Sequence, residues 1–150
     1  MRKKMNITLL RNIQSVILEQ PLRLNMYDWI EESSRSPCGT VGCIAGHAVL
    51  IDTLKKAHKT FKDKKFLKSI LPDLRRSYIS KDAAKLLGLT KKQASKLYFV
   101  ADWPEPFKTD YYEIIHEDDY PNAEMITKKS REKLAQITSN RIEYFIDTKK

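Results

Sequence analysis

A chain of 150 residues with 41% hydrophobic residues and a net charge of +9 is sized for one domain around one core and is too apolar for a disordered tail. Its basic start is interrupted by Arg11, Asn12 and Gln14 before a signal-like apolar core forms, and no stretch reaches the roughly 18 apolar residues that span a bilayer, so a cytoplasmic location with no membrane partner is expected. The lysine excess favours polyanionic partners, and it is uneven: residues 55–76 and 127–150 are basic, whereas residues 102–124 are acidic.

In chain order, residues 6–19 place Leu9, Leu10, Ile13, Val16 and Ile17 at helical spacing, and Pro21 limits that helix. Residues 22–30 are short enough to be helical or extended, with Tyr27 and Trp29 expected in the core, and residues 31–37 read as a polar loop. From Ile44 to Leu54 the residues are apolar on too many sides for a surface helix, which predicts a central buried helix over about 43–57. Phe61, Phe66, Leu67, Ile70, Leu71 and Leu74 anchor a basic stretch expected to form a short helix and turn ending at Pro72. Ser80 is an expected N-cap, Gly88 an expected left-handed terminator and Thr90 the cap of a second helix, giving a helical pair over about 81–100. Trp103-Pro104 and Pro106 stop it. Residues 107–122 are aromatic and acidic, with one short strand or extended segment expected near 111–116. A final helix is predicted over 123–146, with Met125 or Ile126, Leu134, Ile137, Ile142, Phe145 and Ile146 inward and a break near Thr138-Ser139-Asn140. The sum is a mostly α, single-domain chain, a small irregular or orthogonal helical bundle.

The segment from Cys38 to Ile51 holds both cysteines, His47, and Gly39, Gly42 and Gly46. The cysteines are expected as free thiols. If a helix starts at Gly42, Cys43 lies in its first turn, where the helix field favours a thiolate, and His47 follows one turn along the same face. That spacing permits a nucleophile with its base, His47 or, from elsewhere in the chain, His116. The same residues offer a second chemistry: Cys38, Cys43 and His47 are zinc ligand types, with His58 or His116 to complete a site, although C-x4-C-x3-H departs from a close knuckle. A third reading makes Cys43 a small buried apolar residue and His47 a core histidine with a hydrogen bond. The glycines do not form a phosphate loop, since no G-x-G-x-x-G or following lysine accompanies them.

The helical pair supports binding. Ala84, Gly88, Ala94 and Leu97 have the spacing of a helix-turn-helix, which would put Lys91, Lys92, Gln93, Ser95 and Lys96 on or beside a reading helix. Lysines there would meet phosphates, and Gln93 and Ser95 base edges. Lys128, Lys129, Arg131, Lys133 and Arg141 would extend the patch on the final helix, or simply form a solvated face. The expectation that leads is a non-enzymatic binding or regulatory protein contacting nucleic acid or an acidic protein surface. A Cys43-dependent enzyme and a small zinc protein are the alternatives.

Cys38-Gly39-Thr40 with Cys43-Ile44-Ala45-Gly46-His47-Ala48, then residues 84–89, Gln93-Ala94 through Leu97, and Trp103-Pro104, resembles a group of small, mostly uncharacterised proteins of bacteria and their phages. The likeness covers residues 24–104. It implies that the cysteine segment and Trp103-Pro104 belong to one fold and, by association, an accessory phage or mobile-element role.

Overall fold

A computed structural model describes residues 4–33, 36–117 and 127–150. Seven α-helices and one two-stranded sheet are present among them, so the chain is mostly α. The first helix, α1 (Ile7–Glu19), starts where the Asn6 side chain accepts a hydrogen bond from the Leu9 amide. It buries Leu9, Leu10, Ile13 and Ile17, each contributing about 1.5–3 kcal/mol when fully removed from water. A short 3-10 turn over Pro21–Arg23 follows. Two strands, β1 (Ile30–Glu32) and β2 (Thr40–Gly42), pair antiparallel with Ile30 opposite Gly42, and Leu24 forms an additional parallel bridge to Gly42.

The central helix α2 (Ile44–Lys56) is buried continuously from Ile44 to Leu50 and emerges into solvent at Lys55 and Lys56. That agrees with its unbroken apolar sequence. Its neighbours include α1 and two later helices, α4 (Ile79–Leu87) and α5 (Lys91–Tyr98). Between them α3 (Lys64–Arg76) lies against β1 and buries Leu67 and Leu71. This helix does not end at Pro72, which sits on its exposed side. Burial of Leu71 and partial burial of Leu74 carry the helix past the proline, outweighing the missing amide.

Ser80 does not cap α4, because the helix begins two residues after Ser77 closes α3 and the cap position falls on Tyr78. Gly88 adopts the expected left-handed conformation, φ +67°. Its missing side chain also makes room for the Lys4 carbonyl, while the Asn6 amide donates to the Leu87 carbonyl at 2.8 Å. Thr90 and Gln93 cap α5 reciprocally, a capping box with glutamine in the third helical position. After a 3-10 turn over Val100–Asp102, the Trp103 indole donates to the Leu97 carbonyl at 2.9 Å and packs edge-on against Tyr111.

Residues 111–116, expected as a short strand or extended segment, lie instead in α6 (Phe107–Glu117). Its start is fixed by the Glu105 carboxylate, which accepts from the Thr109 amide at 3.2 Å, and helical spacing puts Tyr111 and Ile115 together on its buried side. The last helix, α7 (Lys128–Thr148), is unbroken at residues 138–140. The Thr138 hydroxyl bonds back to the Leu134 carbonyl at 2.8 Å, so a polar residue is buried without interrupting the helix. Met125 and Ile126 lie outside the described residues. One apolar cluster runs from Leu9 to Phe145 through every helix, and among the described residues no helix is long and apolar enough to cross a membrane.

Candidate nucleic-acid interface

The Cys38-to-His47 segment is a packing device. Gly42 and Gly46 face the backbone of Trp29: a side chain on Gly42 would come within 2.7 Å of the Trp29 carbonyl oxygen, and one on Gly46 would overlap it. The Cys43 amide donates to the Asp28 carbonyl at 2.9 Å, and the Asn25 amide to the Gly42 carbonyl at 3.0 Å. Backbone, not side chains, therefore turns inward at residues 28 and 29. This is why Tyr27 and Trp29, expected in the core, are exposed.

Cys43 caps α2 from outside its first turn. Its sulfur accepts from the Gly46 amide at 3.5 Å, but burial dominates and pushes the thiol up to about 11. On the order of one molecule in ten thousand would carry a thiolate at pH 7. The His47 ring does not meet the thiol. Its Nδ1 donates at 2.9 Å to the carbonyl of Cys43, which fixes the proton on that nitrogen because a carbonyl can only accept. Burial lowers the His47 pKa to about 4, against the opposing effect of that hydrogen bond, and Phe61 lies against the ring. Cys38 is buried with its sulfur 3.3 Å from the Thr40 carbonyl and 3.2 Å from the Ser36 hydroxyl. His58 and His116 are both exposed, His116 on α6. Among the described residues no three histidine, cysteine or carboxylate groups are gathered as a metal site requires.

Two of the basic residues assigned to a surface patch are buried. Arg131 donates to the Leu24 carbonyl and holds α7 to the 3-10 turn. Arg141 donates from Nη2 to the carbonyls of Lys96 and Lys150 at 3.0 and 2.9 Å, while its Nε and Nη1 have no hydrogen-bond partner. Burial lowers the Arg141 pKa to about 10. Lys128 and Lys129 are exposed in the first turn of α7. Arg141 marks the point where α7 meets α5, and at a helical rise of about 1.5 Å per residue Lys128 lies about 20 Å from it along α7.

The helical pair carries the more distinctive surface. A groove of about 540 Å³ opens between α4 and α5, with Ala84, Ala94, Tyr98 and Phe99 forming its apolar lining and Lys81 and Lys91 its charged rim. On the other side of Ala84 a second groove of about 380 Å³ is bordered by Lys4, Lys85 and Lys149, with Thr90 and Gln93 at the start of α5. Among the described residues no carboxylate lines either one. Lys4, Lys81, Lys91 and Lys149 form no ion pair among the described residues.

Lys91 and Lys92 occupy the first turn of α5, where the positive end of the helix dipole disfavours cations and favours an anion. Ala84 lines the groove rather than the partner helix, and Ala83 is the small residue that enters the core. Gln93 is engaged in the capping box, Ser95 is half-buried at the groove wall, and the carbonyl of half-buried Lys96 receives Arg141. The buried Tyr98 hydroxyl has no hydrogen-bond partner, and burial pushes its pKa up. Sequence reasoning missed Lys4, Lys81, Lys85, Lys149 and Phe99. Lys81 and Lys85, four residues apart on α4, were the available signal, whereas Lys4 and Lys149 arrive through chain ends folded onto the pair. No family model, curated protein or solved structure matches the chain.

Proposed function

We propose that this protein binds nucleic acid through the face formed by α4, the Gly88 turn and α5. The observation that carries the reading is the pair of grooves meeting at Ala84, rimmed by Lys4, Lys81, Lys91 and Lys149, with no carboxylate lining either among the described residues. Like charges gathered on one face raise its potential, and phosphates are the compact anions that would relieve both this repulsion and the cations placed at the start of α5. Binding of this kind releases counterions, so affinity falls steeply with salt.

The test is fluorescence anisotropy of a labelled oligonucleotide across a salt series. If the four rim lysines Lys4, Lys81, Lys91 and Lys149 meet phosphates, the slope of log affinity against log salt is about −3 to −4. Replacing Lys81 and Lys91 together by glutamate makes it shallower by about 2, while the same change at Lys128 and Lys129 leaves it unaltered. Absence of salt-dependent binding to both single-stranded and duplex oligonucleotides would refute the proposal.

A further inference from the structure

We infer that the nucleic acid taken by this face is single-stranded, with bases lying on the exposed rings of Trp29 and Phe99 beside the groove between α4 and α5. This rests on the nucleic-acid reading above and specifies its substrate class. Trp29 is 38% exposed and Phe99 45%. Their rings meet edge to face at 5.9 Å, and Trp29 also meets Tyr98 edge to face at 6.2 Å. Edge-to-face packing fixes both rings without stacking one flat upon the other.

Phe99 and Tyr98 are walls of the lysine-rimmed groove. On its other side Trp29 borders a shallower cavity with Tyr27 and Tyr78, and the two cavities share Ser80. Tyr78 is 80% exposed. Aromatic rings therefore continue from the groove across the molecular surface; of the two carboxylates lining the cavity beside Trp29, Glu31 is paired with Arg75 at 2.8 Å and Asp28 accepts from the Asn25 side chain at 2.7 Å.

Exposed rings beside uncompensated lysines are the two components that single-strand binding needs: base faces stack on the rings and phosphates track the cations. A duplex hides its base faces in its own stack and would leave these rings unused. Reading a duplex groove would instead need free polar groups along α5, but Gln93 is tied to Thr90 and Ser95 is half-buried. An acidic protein segment would satisfy the lysines without requiring flat rings in succession.

Trp29 supplies the readout, because Trp103 is only 2% exposed and shielded by its own hydrogen bond. Tryptophan emission is followed during titration with oligothymidylate and with a duplex of equal length at fixed salt. The single strand is expected to bind at least about tenfold more tightly than the duplex and to quench the emission, with the quenching lost in Trp29→Phe. Phe99→Leu keeps an apolar contact to Trp29 but removes a flat ring. It is expected to weaken single-strand binding about tenfold while leaving the salt slope and the duplex affinity unchanged. Equal binding of duplex, with no quenching and no effect of Phe99→Leu, overturns the single-strand inference and leaves the phosphate-binding face standing. No binding of either nucleic acid, with an acidic amphipathic peptide bound instead, overturns both.

Discussion

The carbonyl oxygen of Trp29 occupies the space that a side chain on Gly46 would need. From this contact follow the burial of the backbone at residues 28 and 29, the outward direction of the Trp29 ring and its meeting with Phe99 at the rim of the candidate interface. The segment from Cys38 to His47 thus presents an aromatic ring on the opposite side of a close backbone contact.

Gly46→Ala is expected to destabilise the protein by about 3 kcal/mol or more, the upper range for overpacking, because the obstacle is backbone and not the end of a flexible side chain. Gly39→Ala meets nothing within 4 Å, and its cost comes from the positive φ of +76° alone, about 1 kcal/mol. Urea unfolding midpoints of the two variants measure the difference.

His47 makes stability depend on acid. Its ordinary value is 6.5, and in the folded protein burial lowers it to about 4. Between these values the unfolded chain takes up a proton that the native chain refuses, so the contribution is complete above pH 6.5 and is lost as pH falls toward 4. The loss amounts to about 3 kcal/mol. Denaturant unfolding at successive pH values should show it, and His47→Gln should flatten the profile in this window.

Cys43 is expected to react with iodoacetamide at neutral pH no faster than a buried structural thiol. Its folded pKa of about 11 stands above the ordinary 9.0, so its neutral form favours the native state below pH 9 and that contribution is lost between 9 and 11. Rapid alkylation of the native protein, located at Cys43 by mass spectrometry, would contradict this.

Arg131→Ala should cost about 2–3 kcal/mol, since it leaves the Leu24 carbonyl without a charged donor and opens space in a buried site. Lys129→Ala, two residues earlier on the exposed side of the helix, should change stability by less than about 0.5 kcal/mol. Thermal melts of the two variants separate a structural arginine from a surface lysine in the same basic run.

Much of the helical architecture was legible because it is written locally. Leu9, Leu10, Ile13 and Ile17 set the face of α1, while Gly88 and the Thr90–Gln93 pair end one helix and begin the next. Where partners distant in sequence decide the outcome, local pattern misled. Tyr111, Tyr112, Ile114 and Ile115 are residues that favour strands, yet a carboxylate at Glu105 and burial on one side make them helical. Trp29 is the sort of residue that fills cores, and only the space left by Gly42 and Gly46 reverses it. Arg131 and Arg141 look like surface charges until Leu24 and Lys96 come within reach. The candidate site was half legible for the same reason: Lys91 and Lys92 belong to the helix that the spacing predicted, but the second groove exists only once the Lys4 and Lys149 segments fold beside Ala84.

The most direct measurement is amide chemical-shift mapping of isotope-labelled protein titrated with a short single-stranded oligonucleotide. The largest changes are expected on Lys81, Ala84, Lys91, Ser95 and Phe99 together with Trp29, with Lys128 and Lys129 at the start of α7 nearly still. Changes concentrated on Lys128 and Lys129, with the grooves between α4 and α5 silent, would contradict the proposed interface.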